Sequence, residues 1–188
     1  VCGMIASGKS SVLSILKDVG WVSIDADKIV HDLYKNGGAG QRRICDFFGV
    51  EFMKKDGSVN RKKLRDVVFK DVKKLKILNK LIHPLVVSRV KIEISKIDPA
   101  QKVAIEALYF EKGGLLDVVD KIIFVKRDIP NVKNVLTNER NIPKNVSDAI
   151  ISEQKIPDFF DAEVVNNSTF EALKKNVILI VDKLINLR

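Results

Sequence analysis

The spacing of hydrophobic residues predicts helices and strands in alternation. Near the start of the chain, apolar side chains recur at intervals of three and four residues, as on one face of an amphipathic helix, and Gly20 supplies a stop signal. The apolar positions of this helix are Val12, Ile15, Leu16 and Val19. Residues 21–27 begin as an alternating strand and end in two carboxylates. Residues 28–97 have a charged helical pattern, which the His-Pro dipeptide at 83–84 interrupts before a helix over about 85–96.

The second half of the chain returns to strands. Residues 102–108 and 121–125 have the pattern of strands, the latter a short apolar run typical of a strand buried on both faces. A polar stretch over 127–161 is expected to form mobile helices. A last strand over 163–166 leads into Ser-Thr-Phe-Glu at 168–171, a capping box that predicts a closing helix. Strands that alternate with helices indicate a parallel α/β sheet.

A phosphate-binding motif lies almost at the start of the chain. Residues 3–10 read Gly-Met-Ile-Ala-Ser-Gly-Lys-Ser, a complete G-x-x-x-x-G-K-[ST] sequence. The motif predicts a loop whose backbone N–H groups surround phosphate oxygens, with Lys9 as a mobile positive charge and Ser10 as a ligand of Mg²⁺. The residues predicted to bind the nucleotide are Ala6, Ser7, Gly8, Lys9, Ser10 and Ser11. We therefore expect a nucleoside triphosphate with Mg²⁺; the structural alternative is a flexible Gly/Ser turn before an ordinary helix.

The beginning of the chain is short for such a motif. Only Val1 and Cys2 precede the first glycine, whereas this loop normally follows a buried strand of about five residues. We therefore expect a chain trimmed at its N-terminus, with a stub of the first strand left.

Composition limits the class of protein. The 188 residues, 46% of them hydrophobic, suit one soluble domain with appended subdomains, and no apolar run approaches the roughly 20 residues that span a bilayer. The two cysteines, Cys2 and Cys45, form neither a disulfide framework nor a metal-ligand spacing, which suits the cytoplasm. A net charge of +9 favours polyanionic partners, but the lysines are dispersed and aromatic residues are only 6%, so no nucleic-acid partner is expected. The oligomeric state stays open.

Several segments together resemble the dephospho-coenzyme A kinase family. They are the phosphate loop, Ile-Asp-Ala-Asp-Lys-Ile at 24–29, Asp-Gly at 56–57, Asn-Arg-Lys-Lys-Leu at 60–64, Val-Phe at 68–69, Leu-Ile-His-Pro at 81–84, Asn-Glu-Arg at 138–140 and Val-Val-Asn-Asn at 164–167. Their order and spacing span nearly the whole chain. The I-D-A-D element, at its distance from the loop and with the later His-Pro, is much more specific than the loop itself.

The resemblance implies an α/β P-loop NTPase fold of three layers, with a parallel five-stranded sheet, a helical substrate-binding insertion and a helical lid. The core would comprise residues 1–28, 98–126 and 162–188, the substrate subdomain about 29–97 and the lid about 127–161. The implied activity is phosphorylation of the ribose 3′-hydroxyl of dephospho-CoA by ATP with Mg²⁺. Two alternatives stay open: another small-molecule or nucleoside monophosphate kinase, and a nucleotide-binding regulatory module whose catalysis has decayed.

The same resemblance implies roles for individual residues. Asp27 would be the general base for the 3′-hydroxyl, Arg140 the lid arginine that reaches the transferring phosphate, and Lys9 the third catalytic residue. The residues implied to contact the acceptor are Asp27, Arg61 and His83. Structural alternatives exist: Asp25 and Asp27 could cap the following helix, Arg140 could be a solvated helix residue, and His83 a residue at a helix boundary.

The chain departs from the family pattern in the acidic motif after the third strand and at Leu136. The acidic motif after the third strand lacks its usual proline and is one residue shorter, which leaves the roles of Glu106 and Glu111 open. Leu136 stands where the family usually has an arginine, four residues before Arg140. We therefore expect nucleotide contacts from the lid to be reduced or differently built.

Overall fold

The computed structural model describes residues 1–108, 114–152 and 156–186. The strands are β1 (Cys2–Gly3), β2 (Val22–Asp25), β3 (Val103–Glu106), β4 (Ile123–Lys126) and β5 (Ala162–Val165). The α-helices are α1 (Lys9–Asp18), α2 (Ala26–Leu33), α3 (Ala39–Phe48), α4 (Arg61–Val68), α5 (Val72–Ser95), α6 (Ile129–Asn134), α7 (Lys144–Ser152) and α8 (Phe170–Asn186). Two 3₁₀ turns span Val50–Phe52 and Leu115–Val118, and a π-helical turn spans Val135–Glu139. None of these described helices is long and apolar enough to span a membrane.

The strands form two hydrogen-bonded ladders, one in the order β1-β4-β5 and one of β2 with β3. β1 runs parallel to β4, with Gly3 opposite Val125, and β4 runs parallel to β5. The predicted α/β fold with parallel strands is therefore confirmed, whereas a single five-stranded sheet is not. Val1 contacts β3 as well: its nitrogen donates to the carbonyl oxygen of Ile105 at 2.6 Å, and its carbonyl oxygen accepts from the Ala107 N–H at 3.1 Å.

The chain divides into two compact units, residues 1–24 with 97–188 and residues 25–96. In the first unit, the apolar faces of α1 and α8 are buried in one cluster with the strands. Its members include Val12, Leu13, Ile15 and Leu16 from α1, Ala104, Ile123, Val125 and Val164 from the strands, and Leu173, Val177 and Val181 from α8. Val19 was predicted on the same face of α1, but it is 47% exposed because the helix ends one residue earlier.

The closing helix α8 begins later than the capping box predicts. Thr169, rather than Ser168, occupies the N-cap position, because its Oγ1 accepts from the Ala172 N–H at 3.3 Å and its carbonyl accepts from Leu173. Glu171 therefore stands one position too early in the helix for a reciprocal capping box, which pairs a hydroxyl with an acid three residues later.

The second unit contains α2 to α5. Its predicted Asp-Gly turn is confirmed: Gly57 has a φ of 80°, and Asp56 Oδ1 accepts from the N–H of Ser58 at 2.9 Å and from its hydroxyl at 2.6 Å. Side chains at the N-cap positions begin the next two helices. Asn60 accepts from the Lys63 N–H to cap α4, and Asp71 accepts from the N–H groups of Lys73 and Lys74 to cap α5.

The predicted break at His83 and Pro84 is wrong, because α5 is one helix with Pro84 inside it. A proline removes one backbone hydrogen bond and crowds the preceding turn. Packing opposes this cost, since α5 buries Ile82, Val86 and Val90, one turn apart, on both sides of the proline. His83 consequently lies in a helix interior and not at a helix boundary.

Candidate active site

The phosphate loop connects β1 to α1 in a conformation that requires glycine. Gly8 is the N-cap of α1 and has a left-handed φ of 97°, and Ala6 also has a positive φ, 58°. A Cβ at Gly8 would overlap Nδ2 of Asn166, and a Cβ at Gly3 would overlap the carbonyl oxygen of Val125. The two glycines of the motif therefore allow close packing of the loop against β4 and against the end of β5.

Lys9, the first residue of α1, has its ammonium folded onto the loop. Its Nζ donates to the carbonyl oxygens of Gly3 at 3.2 Å and Met4 at 3.1 Å, and the residue is only 7% exposed. Phosphate oxygens are stronger partners for an ammonium than neutral carbonyls are. The lysine is thus held at the loop in a position from which it can exchange carbonyl partners for an anion.

Ser10 contacts a carboxylate that the sequence left without a role. Its hydroxyl donates to Oε1 of Glu106 at 3.2 Å, and Glu106, the last residue of β3, is only 8% exposed. Hydroxyl and carboxylate oxygens are ligands that Mg²⁺ accepts. An acid at the carboxyl end of a predicted strand was the available signal for this residue. Glu111, whose role was also open, lies outside the described residues.

The described residues contain no group of three or more His, Cys, Asp or Glu side chains that could hold a metal ion by themselves. Mg²⁺ commonly binds proteins through one or two side chains and completes its shell with water and substrate phosphates. The pair of Ser10 and Glu106 fits that second kind of site, in which the nucleotide supplies part of the coordination.

The end of β5 holds the phosphate loop in place. Asn166 Nδ2 donates to the carbonyl oxygen of Ser7 at 2.8 Å, and the Asn166 N–H donates to the carbonyl oxygen of Lys126. The neighbouring Asn167 accepts at Oδ1 from the Asp128 N–H at 2.8 Å. The Asn-Asn dipeptide thus joins three segments of the first unit: the loop, the end of β4 and β5.

Two buried polar atoms at the loop have no hydrogen-bond partner within the described part of the chain, Ser7 Oγ and Arg127 Nε. Arg127 lies directly after β4, and its Nη1 donates to the carbonyl oxygen of Ala6 at 3.3 Å. Unsatisfied buried donors are rare in folded proteins and call for an explanation. A ligand rich in acceptor oxygens would satisfy both, so the residues present fit a bound polyphosphate.

The two aspartates after β2 have different positions. Asp25 is the N-cap of α2, since its Oδ1 accepts from the Lys28 N–H at 2.9 Å. Asp27 is the second residue of α2 and has an exposed side chain. The observed capping contact therefore belongs to Asp25.

The region predicted as a lid packs partly against the phosphate loop. Leu136 is completely buried in a cluster with Ala6, Val132 and Val135. The leucine therefore fills an apolar site in which a charged arginine would lose its hydration. Arg140 follows the π-helical turn and is exposed.

The remaining predicted residues lie in helices. Ser11 is the third residue of α1, and Arg61 is the exposed first residue of α4. His83 is half-buried in the interior of α5. Arg61 and His83 both belong to the second compact unit.

Comparison with known proteins gives consistent results. A family model described as "CoaE: Dephospho-CoA kinase" matches residues 1–167. The chain is 33% identical to a dephospho-CoA kinase of Dehalococcoides mccartyi, with 100% of this chain and 97% of that protein covered. It is 32% identical to a dephospho-CoA kinase of Fusobacterium nucleatum, with 93% and 92% covered.

Two solved structures resemble the fold. The crystal structure of TT1252 from Thermus thermophilus aligns with a TM-score of 0.77 at 22% identity, over 97% of this chain and 95% of that one. A dephospho-CoA kinase from Campylobacter jejuni aligns with a TM-score of 0.62 at 22% identity, over 97% and 94%.

Proposed function

Because the chain belongs to the dephospho-CoA kinase family, we propose that it phosphorylates dephospho-CoA with ATP. The γ-phosphoryl group is transferred to the ribose 3′-hydroxyl, and CoA and ADP are released, which is the last step of coenzyme A biosynthesis. The family match over residues 1–167 carries this proposal. The contacts of Lys9 and Ser10 in the phosphate loop support it.

The loop binds the triphosphate of ATP. Lys9 exchanges the carbonyls of Gly3 and Met4 for phosphate oxygens, and the N–H groups at the start of α1 add the positive end of the helix dipole. The buried Ser7 hydroxyl, which has no partner in the described structure, can donate to the same ligand. Phosphoryl transfer depends mainly on such positioning and charge neutralisation.

Ser10 and Glu106 would hold Mg²⁺ at the phosphate loop. The Ser10 hydroxyl donates a hydrogen bond to Glu106, and its oxygen keeps lone pairs for a cation. When bound there, Mg²⁺ would supply neutralisation of the negative charge of the triphosphate. Glu106 thereby adds a negative charge and fixes the orientation of the serine.

Asp27 acts as the general base. Its carboxylate accepts the proton of the ribose 3′-hydroxyl as the new P–O bond forms, a role that contributes roughly 10²- to 10⁴-fold to rates in enzymes. The capping contact at the start of α2 is made by Asp25, and the exposed side chain of Asp27 in the first turn of that helix supports this assignment.

The acceptor and the lid complete the proposed assignments. The compact unit of residues 25–96 serves as the acceptor-binding subdomain, in which Arg61 and His83 contact dephospho-CoA. Residues 127–161 form the lid, from which Arg140 stabilises charge on the transferring phosphoryl group. An exposed side chain at Arg140 suits a residue that engages only with a ligand.

The five strands form one sheet in the proposed fold, in the order β2-β3-β1-β4-β5. The two hydrogen bonds of Val1 support this order, because they connect β3 to the segment that pairs with β4. In that arrangement the phosphate loop follows the central strand.

A direct assay tests the proposed function. Purified protein is incubated with ATP, Mg²⁺ and dephospho-CoA, and the products are separated by chromatography and identified by ³¹P NMR. We expect CoA with a 3′-phosphate and an equal amount of ADP. Turnover with nucleosides or nucleoside monophosphates but not with dephospho-CoA would contradict the proposal, and ATP binding without any turnover would favour a regulatory module.

A further inference from the structure

Arg127 is a cation at the phosphate loop that the proposed reaction does not use. It lies two residues beyond Val125, whose Cα pairs with that of Gly3 in the parallel ladder of β1 and β4. From there its Nη1 reaches the carbonyl oxygen of Ala6 at 3.3 Å. The guanidinium that follows β4 therefore lies against the phosphate loop.

The hydrogen bonding of this guanidinium is incomplete. Its Nε is buried and has no partner among residues 1–108, 114–152 and 156–186. The bond from Nη1 to Ala6 is also longer than a typical N–H···O contact. A buried charged donor without a strong acceptor is costly, so the side chain is under-satisfied in the absence of a ligand.

Arg127 and the adjacent Lys126 differ in their charged partners. Lys126 forms an ion pair with Glu163 of β5 at 3.5 Å. Within the described residues, no such carboxylate pairs with Arg127, whose one hydrogen bond goes to a neutral carbonyl. Lys126 is the last residue of β4 and lies beside β5, whereas Arg127 is the first residue after the strand and contacts the phosphate loop.

A second unsatisfied group lies on the loop, one residue after the alanine that Arg127 contacts. Ser7 follows Ala6, and its hydroxyl is fully buried without a partner in the described chain. One donor on the loop and one that contacts the loop therefore lack strong acceptors. An anion with several oxygens suits them better than a single carboxylate or a water molecule.

From these contacts we propose that Arg127 binds the polyphosphate of the nucleotide, in addition to Lys9. The ligand identity rests on the proposed function, in which ATP occupies the loop. The planar edge formed by Nε and Nη donates two parallel hydrogen bonds to phosphate oxygens, a geometry that lysine cannot reproduce. Arg127 is thus a second cationic ligand of the polyphosphate at this loop.

Isothermal titration calorimetry tests this inference with Arg127→Gln, Arg127→Lys and wild-type protein. The ligands are ATP, inorganic tripolyphosphate and adenosine. Lys126→Gln is the matched control, since it removes one positive charge at the adjacent position, where the partner is Glu163. Melting temperatures of the ligand-free variants show whether each one folds.

We expect Arg127→Gln to weaken both ATP and tripolyphosphate by roughly 10- to 100-fold, the range for hydrogen bonds to charged groups, and to leave adenosine unchanged. Arg127→Lys should lose an intermediate amount of affinity for both ligands, because lysine keeps the positive charge but not the two parallel N–H donors of the guanidinium. Lys126→Gln should change each affinity by less than about 3-fold, as for an exposed ion pair. If Arg127→Gln does not fold, the inference is tested by comparing the tripolyphosphate affinities of Arg127→Lys and Lys126→Gln. A larger loss in Arg127→Lys supports the inference, and equal affinities contradict it.

Two results would overturn the inference. Unchanged affinity for tripolyphosphate in the Arg127 variants would show that the guanidinium only braces Ala6. A loss of affinity confined to ATP and adenosine would show that the Arg127 side chain contacts the adenosine part of the nucleotide and not its phosphates. Failure of wild-type protein to convert dephospho-CoA, with the tripolyphosphate effect intact, would contradict the proposed function alone.

Discussion

The side-chain amide of Asn166 donates to the carbonyl oxygen of Ser7 at 2.8 Å, so a residue after the last strand fixes the phosphate loop near the start of the chain. Asn166→Asp replaces this donor by a carboxylate that faces a carbonyl oxygen. We expect the free energy of unfolding to fall by about 1–3 kcal/mol, the cost of an unsatisfied buried group. Urea denaturation measures the change, and a weaker affinity for ATP should accompany it.

Asn167→Asp is the control for this prediction. Asn167 uses its Oδ1 as an acceptor for the Asp128 N–H, and a carboxylate can accept the same bond. Its stability should therefore stay within about 0.5 kcal/mol of the wild type, as for most surface substitutions. Equal losses in the two variants would show that the Ser7 contact has no special importance.

Leu136 should contribute strongly to stability because it is completely buried against Ala6, Val132 and Val135. We expect Leu136→Ala to lower the free energy of unfolding by about 2–5 kcal/mol, through lost burial and the cavity left behind. Val146→Ala is the control: that side chain is 42% exposed, and its removal should cost less than about 0.5 kcal/mol. Similar urea midpoints for Leu136→Ala and wild type would contradict the observed packing.

The local parts of the site could be predicted from the sequence. The phosphate motif determines a loop and a following helix within eight residues, so Lys9 and Gly8 lie where the motif predicts. The helix boundaries were less accurate. Pro84 predicted a break that the buried face of α5 overrides, and Ser168 predicted a cap that Thr169 supplies.

The contacts between distant segments could not be predicted in the same way. Glu106 and Ser10 are 96 residues apart, and Arg127 and Ala6 are 121 apart, so no local spacing relates them. The parallel pairing of β1 with β4 brings Arg127, the residue after β4, to the loop that follows β1, and register decides which side chain meets the loop. Glu106 is the last residue of β3 and meets Ser10 at the start of α1. Sequence patterns gave the strands but not their register.

Ionisation of the buried Tyr34 hydroxyl should lower the free energy of unfolding at high pH. Burial raises the pKa of its hydroxyl from 10.0 to about 12, so the folded state holds a proton that the unfolded state releases within this range. Stability is therefore present below about pH 10 and is lost as the pH rises towards about 12. Urea denaturation at a series of pH values should show a smaller loss for Tyr34→Phe than for wild type over that range. Parallel curves would contradict the assignment.

The two aspartates at the start of α2 allow a matched test of the general base. Asp27→Asn should reduce kcat by roughly 10²- to 10⁴-fold, because the amide cannot accept the proton of the 3′-hydroxyl. Asp25→Asn should leave the rate unchanged, since asparagine caps helices as well as aspartate does. Circular dichroism checks that both variants fold. Comparable activity in the two variants would remove Asp27 from the mechanism.

Glu106→Gln tests whether the carboxylate beside Ser10 acts through a metal ion. Glutamine keeps the shape of the side chain and an oxygen that accepts from the Ser10 hydroxyl, but it removes the negative charge. We therefore expect the Mg²⁺ concentration for half-maximal rate to rise by roughly 10- to 100-fold, with the loss of rate partly restored at high Mg²⁺.

Glu163→Gln, which removes the partner of Lys126 on β5, is the matched charge control and should keep the wild-type Mg²⁺ dependence. A rate loss in Glu106→Gln that no Mg²⁺ concentration restores, with an unchanged half-maximal concentration, would point to a role in positioning Ser10 alone. Because the folded protein buries Glu106 next to a hydroxyl, the comparison separates its negative charge from its hydrogen bond, and only the charge is needed to attract a cation.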